Sequence, residues 1–209
     1  MNMDTIVVGD FEVNCFVLHG TESRCVVVDP GKDADAILDV IRRQRLSVDG
    51  YILTHGHFDH LSALADLYDR HPAPVACHPR DWEWAFTPAN AMPPQYGPPR
   101  KPSDCVPVAL SESQPLAMAG LTFRVIETPG HTPGSVCLYL PGEHVLITGD
   151  TLFAGSVGRT DLPGGSARAL SASLKKLAAL PPETTVHPGH GPATDIAAEK
   201  RTNYFMQHL

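Results

Sequence analysis

The sequence predicts an α/β fold class of a particular kind, a four-layer αββα sandwich in which two similar halves pack sheet against sheet with helices outside. Three observations predict it. Short runs rich in Val, Ile, Phe and Cys alternate with helical patterns. The order of strands followed by helices occurs twice along the chain. A length of 209 residues with 43% hydrophobic composition suits one substantial core, so residues 1–209 read as a single domain.

The elements follow in order. Residues 5–8, 13–19 and 24–29 read as strands, and Asp29-Pro30-Gly31 ends the third. Residues 33–45 carry Ile37, Leu38, Val40 and Ile41 on one side of a helix. Residues 51–53 form a strand, 62–68 a helix with Leu64, Ala65 and Leu67 inward, 75–77 a strand, and 80–86 a short helix with Trp82 and Trp84. Seven prolines and one glycine then fall within 87–107, a long irregular segment that reads as a lid or a surface excursion. In the second half, strands are expected at 115–118, 121–126, 135–140 and 144–148, with turns at Ala119-Gly120 and Pro141-Gly142. Ser166 is placed to cap a helix over 167–179, and a strand at 184–186 precedes a last helix over 195–206.

Composition narrows the partners. The net charge is −7 with no basic block, which argues against nucleic acid, since phosphate binding needs clustered Lys and Arg. No apolar run approaches the ~18 residues that span a bilayer, and the first residues lack the basic and apolar regions of a signal peptide. The five cysteines, 15, 25, 77, 105 and 137, never take CxxC spacing and read as reduced thiols of a cytoplasmic protein. The expected partner is a small molecule, and the expected assembly is a monomer or weak homo-oligomer.

One stretch carries the chemistry. His55-Gly56-His57-Phe58-Asp59-His60 places four potential metal ligands in six positions, directly after an apolar strand. A strand end is rigid and a loop can curl, so these side chains can converge on one point. Nitrogen and oxygen donors suit zinc, iron or manganese, and the lack of a neighbouring Cys argues against a zinc-finger-like structural site. Three other strand ends offer single ligands, each beside glycine: His131 in TPGHTPG, Asp150 in TGDT and His190 in HPGHG.

Taken in order, HxHxDH, TPGHTPGS, TGDTLF and PGHGP resemble the motifs of the metallo-β-lactamase fold superfamily, across nearly the whole chain. The stretch 148–165 is similar to the glyoxalase II-like (hydroxyacylglutathione hydrolase-like) branch, in particular its short single-domain YcbL-type members. The resemblance implies two divalent metal ions, zinc first with iron or manganese as alternatives. It implies His55, His57 and His131 at one ion, Asp59, His60 and His190 at the other, and Asp150 between them. It implies hydrolysis of a thioester, leading with S-acylglutathiones, by a hydroxide bridging the ions and oriented by Asp59. Asp29 would support the ligand loops or cap the next helix, and Arg159 and Asp161 would shape the pocket or stiffen its loop.

Two departures bear on substrate and helix start. Glyoxalase II enzymes of two domains hold glutathione with basic residues of a C-terminal helical domain, whereas one helix's length of chain follows His190 here. Lys200 and Arg201 on that helix, and Arg100 and Lys101 in the Pro-rich segment, map onto none of those contacts. Leu61-Ser62-Ala63 stands where the family often has Gly-Gly. The chain also resembles the persulfide dioxygenases of the same superfamily, which would use one iron on His55, His131 and Asp150. A Cys is common at the Asp150 position in β-lactamases, so β-lactam hydrolysis is not expected. His187 is a weaker ligand candidate than His190, and His78, Trp82, Trp84 and Tyr96 read as structural.

Overall fold

A computed structural model describes residues 2–209. The first half builds a six-stranded sheet in the order β1 (Asn2–Val8), β2 (Val13–His19), β3 (Arg24–Val28), β4 (Ser47–Ile52), β5 (Val75–Cys77) and β6 (Val108–Ala109). Strands β1 to β3 are antiparallel neighbours, and β3 to β6 run parallel. The crossovers are α1 (Ala34–Arg43) and α2 (Leu64–Arg70), then α3 (Pro79–Trp82) with the Pro-rich segment.

The second half contains β7 (Leu116–Met118), β8 (Leu121–Glu127), β9 (Val136–Leu140), β10 (Val145–Gly149), the small hairpin β11 (Leu152–Phe153) and β12 (Ser156–Val157), α4 (Ala167–Ala178), β13 (Thr185–Pro188), β14 (Thr194–Asp195), α5 (Ile196–Thr202) and α6 (Tyr204–Gln207). Its six-stranded sheet runs β14-β13-β10-β9-β8-β7. Because β13 is parallel to β10, and β9 is antiparallel to both β10 and β8, the ends of β8, β10 and β13 share one edge.

Alternation within each strand explains the four layers. Phe16, Val26, Val28 and Ile52 face Phe123, Val125, Leu138 and Ile147 between the sheets. Their neighbours Val17, Val27, Tyr51 and Leu53 point the other way onto Ile37, Ile41, Leu64 and Leu67. Likewise Cys137, Tyr139, Leu146 and Val186 meet Leu170, Leu174 and Leu177 of α4. Strands buried on both faces read as continuous apolar runs, which is why the sequence shows them so plainly.

The differences from the sequence reading have local causes. β1 and β4 begin earlier than expected, and the helix expected over 80–86 closes after one turn. The expected helix over 195–206 is two, because Asn203 leaves helical backbone, accepts the Phe205 amide and donates to Ser156 O and Glu199 Oε2. Three short pairings, β6, β11–β12 and β14, are too brief to show a period in sequence. Ser166 caps α4 by accepting the Ala169 amide, and Ala119 and Gly120 both take positive φ in the tight turn. Cys15, Cys25, Cys77 and Cys137 are buried free thiols and Cys105 is partly exposed. Among the described residues, no helix is long and apolar enough to cross a membrane.

Candidate metal centre

The end of β4 is fixed before the ligands begin. Asp29, in left-handed backbone after β3, accepts the Thr54 amide at 2.8 Å and the Thr54 hydroxyl at 2.6 Å. His55 follows, wholly buried, and a single 3-10 turn over Phe58–His60 swings Asp59 and His60 back towards it. Among the described residues, donor atoms of His55, His57 and His131 form one group within 4.8 Å, and those of Asp59, His60 and His190 form another.

Asp150 lies between the groups. Its Oδ1 is 3.4 Å from His60 Nε2, and its Oδ2 is 3.5 Å from both His131 Nε2 and His190 Nε2. All seven sequence-expected ligands are therefore brought together. His187 is not: it packs edge-on against Phe16. Asp29 also groups with His55 and His60, but both its oxygens already accept from Thr54, so it holds ligands rather than competing with them.

The donors fit a divalent cation. His55 Nε2 and Asp150 Oδ1 are buried without a hydrogen-bond partner, a costly condition unless a cation sits among them. His57 Nδ1 stands 2.8 Å from His131 Nε2, and His60 Nε2 stands 3.3 Å from His190 Nε2. Nitrogens this close repel unless a proton or metal lies between them. Burial, then repulsion from neighbouring histidines, lowers His55 well below the usual range and His57 to about 3, so both stay neutral, the form that binds metal. Burial pulls His60 and His190 down too, but the Asp150 and Asp59 carboxylates outweigh it and raise both. Asp150 is correspondingly held ionised, burial being overcome by His60 and His190.

The far nitrogens of His60, His131 and His190 are tied down, which fixes their tautomers and aims the other nitrogen inward. His60 Nδ1 donates to Asp29 Oδ2 at 3.0 Å, His131 Nδ1 to Arg159 O at 2.8 Å, and His190 Nδ1 to Phe11 O at 2.8 Å. His57 differs by presenting Nδ1 to the centre.

Three positioning residues escaped the sequence reading. Asp81 is fully buried and accepts the Gly56 amide at 2.9 Å, the Gly134 amide at 2.7 Å and the Thr132 hydroxyl at 2.6 Å. It clamps the HxHxDH loop to the TPGHTPG loop. Burial raises its pKa, against the pull of those three hydrogen bonds. Asn90 donates to Gly56 O and Ala85 O and accepts the Phe58 amide, and Asn14 donates to Pro188 O and Gly191 O around His190. A signal existed for Asp81: it follows the end of β5, the same context that marks the ligands. Asn14 and Asn90 had none.

The remaining candidates are structural or line the mouth. Arg159 pairs with Asp161 through two 2.8 Å hydrogen bonds, an exposed pair that stiffens the loop after Asp150 while Arg159 also lines the cavity. His78 accepts the Arg80 amide as the cap of α3. Trp82 packs on Phe86, Tyr96 on Phe11 and Phe58, and Trp84 lies 5.5 Å from the His57 ring. A cavity of about 680 Å³ opens over the centre, walled by residues that include Phe58, Trp84, Ala89, Met92 and Leu162.

Comparison with known proteins gives the family of the chain. The family model of the metallo-beta-lactamase superfamily matches residues 8–190. Hydroxyacylglutathione hydrolase GloC of Haemophilus influenzae is 31% identical over 99% of this chain and 98% of its own. Among solved structures, TTHA1623 in a di-iron-bound form is 40% identical with a TM-score of 0.86, covering 97% of this chain and 99% of that one. BLEG-1 B3 metallo-beta-lactamase is 38% identical with a TM-score of 0.91, covering 98% and 99%. ETHE1 from Myxococcus xanthus is 28% identical with a TM-score of 0.80, covering 98% and 84%. With its strand-end histidines and aspartates gathered at one edge of an αββα sandwich, the chain belongs to the metallo-beta-lactamase superfamily.

Proposed function

We propose that this chain is a dinuclear metal-dependent hydrolase of thioesters, with S-acylglutathiones as the leading substrate class. The observation that carries this is Asp150, whose two oxygens face histidines of both ligand groups. His55, His57 and His131 would hold one divalent ion, Asp59, His60 and His190 the other, and Asp150 would bridge. Two such ions, zinc first and iron or manganese next, lower the pKa of a water and polarise an acyl carbonyl when bound.

The chain's own groups do the rest. Asp59 lines the cavity with Oδ2 3.6 Å from His190 Nε2, so its carboxylate can accept a proton from the attacking water and orient it. Asp29 and the carbonyls of Arg159 and Phe11 hold the histidines in place. The apolar wall keeps bulk water from the reacting carbonyl, which strengthens every charge interaction inside. The leaving thiolate needs little protonation at neutral pH, so no dedicated acid is required. Residues 89–92 wall the cavity, which supports reading 87–107 as a cover over the substrate.

GloC's name supports the thioester reading, and the similarity to ETHE1 favours a second, a mononuclear iron persulfide dioxygenase on His55, His131 and Asp150. Elemental analysis beside two assays separates them. Two metals per chain with hydrolysis of S-lactoylglutathione is the expected outcome. One iron per chain with oxygen uptake on glutathione persulfide would overturn it. His60→Ala should cripple the dinuclear hydrolase and spare the dioxygenase.

A further inference from the structure

The cavity's charge pattern says more about the substrate than the metal ligands do. Its walls away from the ligands are Phe11, Phe58, Trp84, Met92, Pro133 and Leu162 in the main. Two of these, Phe11 at 37% and Met92 at 45% exposure, are among the chain's exposed large hydrophobic residues, so the apolar surface continues onto the rim. An exposed apolar surface continuous with a reactive centre marks a ligand site.

Cations are nearly absent from that surface. Among the described residues lining the cavity, the one Lys or Arg is Arg159, and its Nε and Nη2 both bind Asp161. Of the basic groups considered for glutathione, Arg100, Lys101 and Lys200 have partners of their own, as does Lys32 beside Tyr96. Lys32 pairs with Asp10 at 2.7 Å and lies over the Tyr96 ring, while Arg100 pairs with Asp66 and Asp69. Lys101 lies over Trp82, and Lys200 donates to Ala178 O. Glutathione at neutral pH carries two carboxylates and one ammonium, and this wall offers the carboxylates one guanidinium already paired with Asp161, in a chain of net charge −7.

We infer that the cavity selects thioesters with an apolar, uncharged body, an aromatic or branched acyl group setting affinity instead of the charged ends of glutathione. This rests on the thioesterase reading above, keeps its thioester chemistry, and replaces glutathione with an uncharged thiol as the preferred carrier. Desolvating an unpaired carboxylate against such a wall is costly, whereas each added methylene in an apolar pocket is worth roughly tenfold or more in kcat/KM.

The test compares S-phenylacetyl-N-acetylcysteamine, whose thiol is uncharged, with S-lactoylglutathione on the metal-loaded enzyme. It also measures binding of the non-hydrolysable thioether S-benzyl-N-acetylcysteamine against S-methylglutathione by calorimetry. The expected result is a kcat/KM at least about tenfold higher for the aromatic thioester, with tighter binding of the benzyl thioether. Met92→Asn, at an exposed rim position that tolerates polarity, and Leu162→Asn should each raise KM for the aromatic thioester severalfold, by a larger factor than for S-lactoylglutathione. Preference for S-lactoylglutathione and S-methylglutathione would overturn the selectivity while leaving a thioesterase. Tight binding of the benzyl thioether, weakened in both variants, with neither thioester turned over would support the selectivity and sink the thioesterase reading instead.

Discussion

The two halves of the sandwich contribute to one centre in different ways. The first half delivers His55, His57, Asp59 and His60 from one continuous loop, and anchors that loop with buried carboxylates: Asp29 on Thr54 and His60, Asp81 on Gly56. The second half delivers His131, Asp150 and His190 singly from the ends of β8, β10 and β13, and its histidines are anchored by main-chain carbonyls, of Arg159 and, from the first half, Phe11. His60 is fully buried while the His190 side chain is 27% exposed. A contiguous cluster needs side-chain clamps because a free loop must be held from outside. Isolated ligands at strand ends inherit much of their position from the sheet; backbone carbonyls aim their imidazoles, and Asp81 and Asn14 brace the loops around them.

The largest expected effect comes from Gly189, packed between Asp150 and His60. A Cβ at Gly189 would stand 2.3 Å from Asp150 Oδ1 and 2.7 Å from His60 Cε1. Gly189→Ala should therefore cost one metal equivalent and more than about 100-fold in kcat/KM, given what a misplacement near 1 Å costs a reacting geometry. Full metal content and activity in that variant would mean that His60 and Asp150 do not work as one site.

Removing the clamp between the loops comes next. Asp81→Ala strands the Gly56 and Gly134 amides and the Thr132 hydroxyl in the interior, for a loss of about 3 kcal/mol in denaturant-unfolding stability. A loss under about 1 kcal/mol would show that the two loops hold their positions independently.

A paired substitution tests the side-chain and main-chain anchors directly. Asp29→Asn should weaken metal binding about 10–100-fold, measured by competition with a chelator. Phe11→Ala removes a side chain but keeps the carbonyl that holds His190, and its metal affinity should stay within about threefold. Equal effects would erase the distinction between the halves.

The smallest effect treats the halves alike. Burial pushes the thiol of Cys25, in the first sheet, up to about 12 and that of Cys137, in the second, up to about 11 from an ordinary 9.0. The folded chain keeps these protons where the unfolded chain releases them, so the associated stability is complete below pH 9 and is lost as pH rises towards 11 and 12. The urea midpoint should fall between pH 8.5 and 10.5, and Cys25→Ala and Cys137→Ala should each flatten that fall. An unchanged slope in both variants would place its origin in other groups, such as Tyr51, whose hydroxyl burial also raises.

Much of the fold was legible because its determinants are local. Val, Ile and Leu runs between turn residues marked all ten strands longer than two residues, the Ser166 cap marked α4, and glycines beside His131, Asp150 and His190 marked the turns under the ligands. What the sequence hid is equally specific. The pairings of β6, β11, β12 and β14 are two residues long, and Asn203 breaks a helix through bonds to Ser156 and Glu199 that no short window contains.

By itself, then, the sequence determined the chemistry of the centre: seven His and Asp side chains at four strand ends, and the α/β layers that carry them. Only the tertiary structure decided that Asp150 faces both ligand groups, that His57 presents Nδ1, that Asp81 reaches Thr132, 51 residues away, and that the wall above the centre is apolar with its arginine already paired. The division has a physical reason. Donor chemistry and backbone turning reside within a few residues, whereas the distances between strand ends are set by parallel pairing across long crossovers and by side chains that bond to the backbone of distant loops.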